Sequence, residues 1–152
     1  MSREPVRPDF VPLISLVDKS ARTLRADMLR NAHARGYAEL QPAHNAVFAT
    51  LPPEGARAAD MATRAGITRQ SMGEVIRDMV GLGLLETVPD PVDRRAKIVR
   101  FTDYGLGVAQ AGYEHIIDVE RVLREGLGDA DVDATRRVLA GIIEMLGEGL
   151  SS

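Results

Sequence analysis

The chain has 152 residues and no cysteine, so it is long enough to bury a sizeable core without covalent staples, and disulfides, thiolate metal ligands and thiol-based redox sensing are excluded. Its net charge of -3 argues at first sight against a nucleic-acid partner, but the charge is polarised: residues 1–36 hold 7 basic and 4 acidic side chains, residues 54–100 hold 8 and 7, and residues 101–152 hold 4 and 10. Charged residues among the first twelve positions and the lack of any apolar run near ~18 residues speak against a signal peptide or a membrane span, so the expected location is the cytoplasm.

In chain order, apolar residues at Leu13, Leu16, Val17, Ala21, Leu24 and Met28 recur at helical spacing and predict an amphipathic helix from Asp9 to about Arg35, stopped by Gly36. Pro12 is tolerated if it falls in the first turn. A shorter helix fits Pro42 to Leu51 before Pro52-Pro53, and another fits Arg57 to Ala65 with Gly66 as its stop. Thr68 is a good N-cap for the next helix, and Ile67 and Met72 have the spacing of a hydrophobic staple. Met72, Val75, Ile76, Met79 and Val80 form its buried stripe, leaving Arg69, Gln70, Ser71, Glu74, Arg77 and Asp78 outside. Helix, glycine turn and capped helix together spell a helix-turn-helix.

After Gly81-Leu82-Gly83 the pattern changes to two short strand-like runs, Leu84–Val88 and Ala96–Phe101, around a loop with two prolines and two aspartates. A hairpin placed there is a wing. Thr102 then caps a long helix to about Leu127, and a last helix capped near Asp131 carries Val138, Leu139, Ile142 and Leu146. The fold class is therefore mainly α with a small β-hairpin wing: a winged helix-turn-helix core flanked by long terminal helices.

The run ITRQSMGEVIRDMVGLGLLETVPDPVDRRAKIVRFTDYG, residues 67–105, resembles the winged-helix core of the MarR family of bacterial transcriptional regulators. Its specific part is Asp93-Arg94-Arg95 followed by Phe101-Thr102, with Phe101 standing where the family usually has leucine. The resemblance implies one domain over 1–152, with dimerisation helices at 9–36 and 103–150 around a DNA-binding lobe at 37–102. It also implies a homodimer on a pseudo-palindromic operator, acting as a repressor relieved by a small ligand.

Physical chemistry supports that reading beside it. A major groove ~12 Å wide admits one helix whose first turn reaches base edges. Arg69, Gln70 and Ser71 suit guanine, adenine and either base, and the same face with Thr68, Glu74 and Arg77 is the candidate reading surface; an ordinary solvated helix face is the competing reading. The resemblance assigns Arg95 to the minor groove, with Arg94 and Lys97 on phosphates, and Asp93 is expected to pair with the Arg95 guanidinium and hold it in one orientation.

The terminal stripes, with Leu13, Leu16, Val17, Val138, Leu139, Ile142 and Leu146, are too long to be covered by one winged helix and point to a symmetric dimer. By position, Arg30, His33, His44, Phe48 and Tyr113 are candidates for the small aromatic or anionic effector that the resemblance implies, though each is equally explained by local packing. No cofactor is expected: His33, His44 and His115 lack metal-ligand spacing, Asp129, Asp131 and Asp133 lack the glycine and glutamate of a calcium loop, and neither a phosphate loop nor a nucleophile elbow occurs. An enzyme is not expected. The alternative class is a winged-helix module for protein–protein contact, which the acidic C-terminal helices make conceivable.

Overall fold

The computed structural model describes residues 5–147. In order, these form α1 (Leu13–Ala34), a 3-10 turn (Pro42–His44), α2 (Asn45–Phe48), α3 (Ala58–Ala65), α4 (Arg69–Gly81), β1 (Leu85–Pro89), β2 (Lys97–Phe101), α5 (Asp103–Leu127) and α6 (Asp129–Gly147). The fold is mainly helical with a two-stranded wing, as expected. Residues 148–150, assigned above to the last helix, lie outside the described residues. Among the described residues no helix is long and apolar enough to cross a membrane.

Several boundaries move for local reasons. Pro12 is extended (φ -60, ψ 143) and caps α1 from outside, its carbonyl accepting the N–H groups of Ser15 and Leu16, so the helix starts at Leu13 and not at Asp9. The expected Pro42–Leu51 helix is a 3-10 turn running into one short α-helix, with proline at its start. Gly128 takes φ 91 and breaks the chain after α5, so α6 begins at Asp129, where Asp129 and Asp131 complement the positive end of the helix dipole.

The chain forms two compact units, one ending at Gly112 and the other beginning at Tyr113, both points lying within α5. The first unit contains the core. Leu40, Val47 and Leu51 meet Met61 and Ala62 of α3, Met72, Ile76 and Met79 of α4, Leu84, Leu85, Val99 and Phe101 at the wing, and Val108 and Ala109 of α5. Met61, Met72 and Met79 are wholly buried, a use suited to an unbranched side chain that fills irregular space. Along α4, Val75 is half-buried and Val80 is exposed, against the expected stripe: eight residues after Met72, the 3.6-residue period carries Val80 to the edge of the face.

The wing pairs antiparallel, Leu85 opposite Phe101 and Pro89 opposite Lys97. Ala56, in the lead-in to α3, bridges Val99 through bonds of 3.0 and 2.8 Å and adds a short third edge. Gly55 makes this possible: it has φ 94, and a Cβ there would lie 2.7 Å from Ile98 Cγ2. Thr102 then joins wing to α5, donating its hydroxyl to Gly83 O and accepting the Gly105 N–H at 3.0 Å.

Candidate nucleic-acid interface

The first turn of α4 is built by Thr68, an extended N-cap whose Oγ1 accepts the Ser71 N–H at 3.0 Å and donates to Ser71 Oγ at 2.9 Å. Ser71 Oγ is thus used as an acceptor, and its own proton is left to donate outward. Arg69, Gln70 and Ser71 are exposed, as are Glu74 and Arg77 one turn on. Gln70 Nε2 lies 3.4 Å from Glu74 Oε1, a weak contact that leaves the amide able to exchange partners. The turn therefore offers a fork of donors, an amide and a hydroxyl donor, enough to read base edges.

Asp78 shares the outer face but is engaged. His44 is buried at 2% exposure, its Nδ1 accepts the Gln41 N–H at 3.0 Å, and its Nε2–H donates to Asp78 Oδ2 at 2.5 Å. Bonded through both ring nitrogens, His44 ties the 3-10 turn to α4. The other effector candidates are spread. His33 Nε2–H donates to Leu40 O at 2.8 Å, Phe48 stacks on Phe101 with ring centroids 5.8 Å apart, Arg30 pairs with Asp27 on its own helix, and Tyr113 is exposed in the second unit.

The wing loop is organised by two carboxylates. Asp90, 5% exposed, accepts Val92 N–H at 2.9 Å and Asp93 N–H at 3.5 Å on Oδ1, and takes Arg57 Nε at 2.9 Å and Nη2 at 2.5 Å on Oδ2. These contacts, the Val92 N–H first and Arg57 next, hold the Asp90 carboxyl below its ordinary range, and the same hydrogen bond raises Arg57. Asp93 repeats the turn three residues on: its Oδ1 accepts the Arg95 N–H at 3.1 Å, and its carbonyl accepts the Ala96 N–H at 2.9 Å.

This corrects the expected Asp93–Arg95 side-chain pair. Among the described residues no ion pair joins them; the Asp93 carboxylate is already turned onto the Arg95 backbone, and it fixes where the chain points, not where the guanidinium does. Arg94, Arg95 and Lys97 are exposed. Asp90 and Arg57 were missed by the sequence reading. The Asp90-Pro91 pair followed by Val92 is a turn signal that was available, whereas nothing in the sequence links it to Arg57, 33 positions away.

Comparison with known proteins fits this geometry. The family model described as the MarR family matches residues 46–96, from α2 through the wing loop. A transcriptional repressor, CouR, bound to a 23-mer DNA duplex, is 27% identical with a TM-score of 0.71, the likeness covering 86% of this chain and 92% of that one. Residues 46–96 match the MarR family, and over most of its length the chain shares the fold of MarR-family regulators.

A MarR family transcription regulator, SP03579, shares the fold at 17% identity and a TM-score of 0.75 over 91% of each chain. The PcaV regulator of Streptomyces coelicolor, in complex with its natural ligand, does so at 22% identity and 0.61, over 90% of this chain and 98% of that one. An uncharacterized protein of Mycobacterium tuberculosis (strain ATCC 25618 / H37Rv) is 35% identical over 85 residues, which are 56% of this chain and 59% of the relative, so the match spans about three fifths of that relative's length. The MarR wing signature, Asp93-Arg94-Arg95, falls inside the matched region, and the departure at Phe101 is absorbed by packing: the ring is 6% exposed and stacked on Phe48.

Proposed function

We propose that this protein is a homodimeric regulator of transcription that binds a pseudo-palindromic double-stranded DNA operator. The observation that carries the reading is the division of charge at the wing loop. Both aspartates spend their carboxylates on backbone N–H groups, Asp90 also on Arg57, while Arg94 and Arg95 stand exposed at the tip. An acidic loop residue would otherwise repel phosphate; here the negative charge is satisfied within the loop and the cations face out. In this reading Gln70 and Ser71 read base edges, Arg95 enters the minor groove, and Arg94 and Lys97 neutralise phosphates.

Dimerisation is part of the same proposal, because α1 and α6 bury no residue within the chain and expose Leu13, Leu16, Val17, Val138, Leu139 and Leu146. A two-fold axis would set half-site centres roughly one helical turn, about 10 bp, apart. Repression relieved by a small aromatic or anionic effector completes the reading. Arg30 and His33 are exposed in the first unit and suit such a ligand, Tyr113 is exposed in the second unit and is a candidate by itself, and His44 and Phe48 are taken up by packing.

Electrophoretic shifts with duplexes enriched from a random pool, titrated with salt, test the proposal. Binding that weakens steeply with salt is expected, with Arg94→Ala reducing the slope by about one on every sequence. Arg95→Ala should cost most where the flank is A·T-rich. No binding even at low salt would remove the reading and favour a protein–protein module.

A further inference from the structure

A regulator that reads one duplex with a helix and a hairpin tip needs a fixed distance between the two. The hairpin is attached to the helix-turn-helix lead-in at two places. One is the Ala56–Val99 bridge, which holds the body of β2. The other is the Arg57 fork on Asp90, which reaches the loop itself.

Arg57 is the N-cap residue of α3, and α3 is joined to α4 by the left-handed turn at Gly66. Asp90 sits at the base of the wing loop, where its N–H also donates to Ala96 O at 3.0 Å and closes the loop. From Asp90 the order is relayed outward: Oδ1 fixes the Val92 and Asp93 amides, and Asp93 fixes the Arg95 amide. A planar guanidinium donating two bonds to one carboxylate oxygen is a directional joint, unlike a lone ammonium.

We propose that Arg57 and Asp90 are positioning residues that set the wing-tip arginines relative to the recognition helix and so determine operator discrimination, without touching DNA. The proposal rests on the DNA-binding reading above. Two simpler roles make different predictions. If Arg57 is itself a phosphate contact, removing it lowers the salt dependence of binding. If Asp90 is an ordinary loop charge, neutralising it tightens binding to all DNA alike.

The test uses the full-length protein and the variants Asp90→Asn, Arg57→Met and Arg57→Lys. Anisotropy titrations at several salt concentrations compare a duplex enriched by the wild type from a random pool with a scrambled duplex of equal length. Asp90→Asn and Arg57→Met are each expected to weaken the enriched duplex about tenfold, the size of a mismatched base pair, and to leave the scrambled duplex within about twofold. The salt slope should not change, and Arg57→Lys should fall between wild type and Arg57→Met. Hydrogen exchange without DNA should speed up at the Val92, Asp93 and Arg95 amides while the α4 amides keep their protection.

A slope lowered by about one in Arg57→Met would overturn the proposal, as would tighter binding of both duplexes by Asp90→Asn or unchanged exchange in the loop. Asp90→Asn and Arg57→Lys nearly preserve volume and keep the comparison open if Arg57→Met does not fold. Failure of the wild type to enrich any duplex removes the DNA-binding reading and the discrimination role with it; loop exchange, measured without DNA, then shows separately whether the pair orders the tip.

Discussion

Residues 40–109 and the two terminal helices α1 and α6 use the same helical spacing of apolar side chains to opposite ends. Among the described residues every buried hydrophobic side chain falls between Leu40 and Ala109, whereas α1 and α6, 22 and 19 residues long, bury none. In the first region the stripes close on one another: α3 and α4 share a core with the wing and the start of α5. In the second they stay open, with Ile14 at 78% and Ile143 at 73% exposure. Periodicity says that a helix has an apolar face; it does not say which chain covers that face.

The largest effect should come from the closed region. Met72 is wholly buried in the first turn of α4, so Met72→Ala leaves a cavity beneath the candidate reading surface and should cost about 2–5 kcal/mol of stability. Urea unfolding followed by circular dichroism measures it. A loss below ~1 kcal/mol would mean that the site collapses freely and that the lobe is not held by this core.

A substitution in the open region should separate association from folding. Leu139 lies in α6, exposed at 38% within the chain. Leu139→Glu is expected to weaken self-association by roughly 30-fold or more, the order of an interface hot spot of ~2 kcal/mol, with little effect on the melting of the lobe. Sedimentation equilibrium reads the first quantity and thermal melting the second. Unchanged association would take Leu139 out of the interface, and a wild type that sediments as a monomer would remove the dimer altogether.

The contrast also explains what was legible. Thr68 as a cap and Gly66 as a stop are local signals that the structure has where they are expected, and the branched and aromatic runs Leu84–Val88 and Ala96–Phe101 form strands displaced by one residue, Leu85–Pro89 and Lys97–Phe101. Pro12 was placed inside the helix it terminates because the sequence tolerates proline either at its start or just before it. The Asp93 side chain was given the wrong partner for a different reason. A carboxylate two residues before an arginine can serve its amide or its guanidinium, and the loop decides in favour of the amide once Asp90 has set the backbone. Arg57 was illegible because its partner lies across the fold: only the pairing of Ala56 with Val99 brings them together.

The smallest expected effect belongs to the turn between α5 and α6. Arg124 donates to Asp129 at 3.1 Å and to Asp133 at 2.7 Å, which ties the end of α5 to the first turns of α6. Both carboxylates are well exposed, so solvent screens the pair and its contribution at neutral pH is small. Its sign with pH is nevertheless fixed. The hydrogen bond from Arg124 holds the Asp133 carboxyl below its ordinary value of 3.8, and Arg124 stays charged throughout. A carboxyl depressed on folding stabilises the native state above its unfolded pKa, and that stabilisation disappears as pH falls through the lower, folded value. Asp133→Asn should therefore melt slightly below wild type at neutral pH, with the gap closing only below pH 3.8. A gap of constant size down to about pH 2 would show that the asparagine disturbs packing, and that the Arg124 fork contributes nothing through charge.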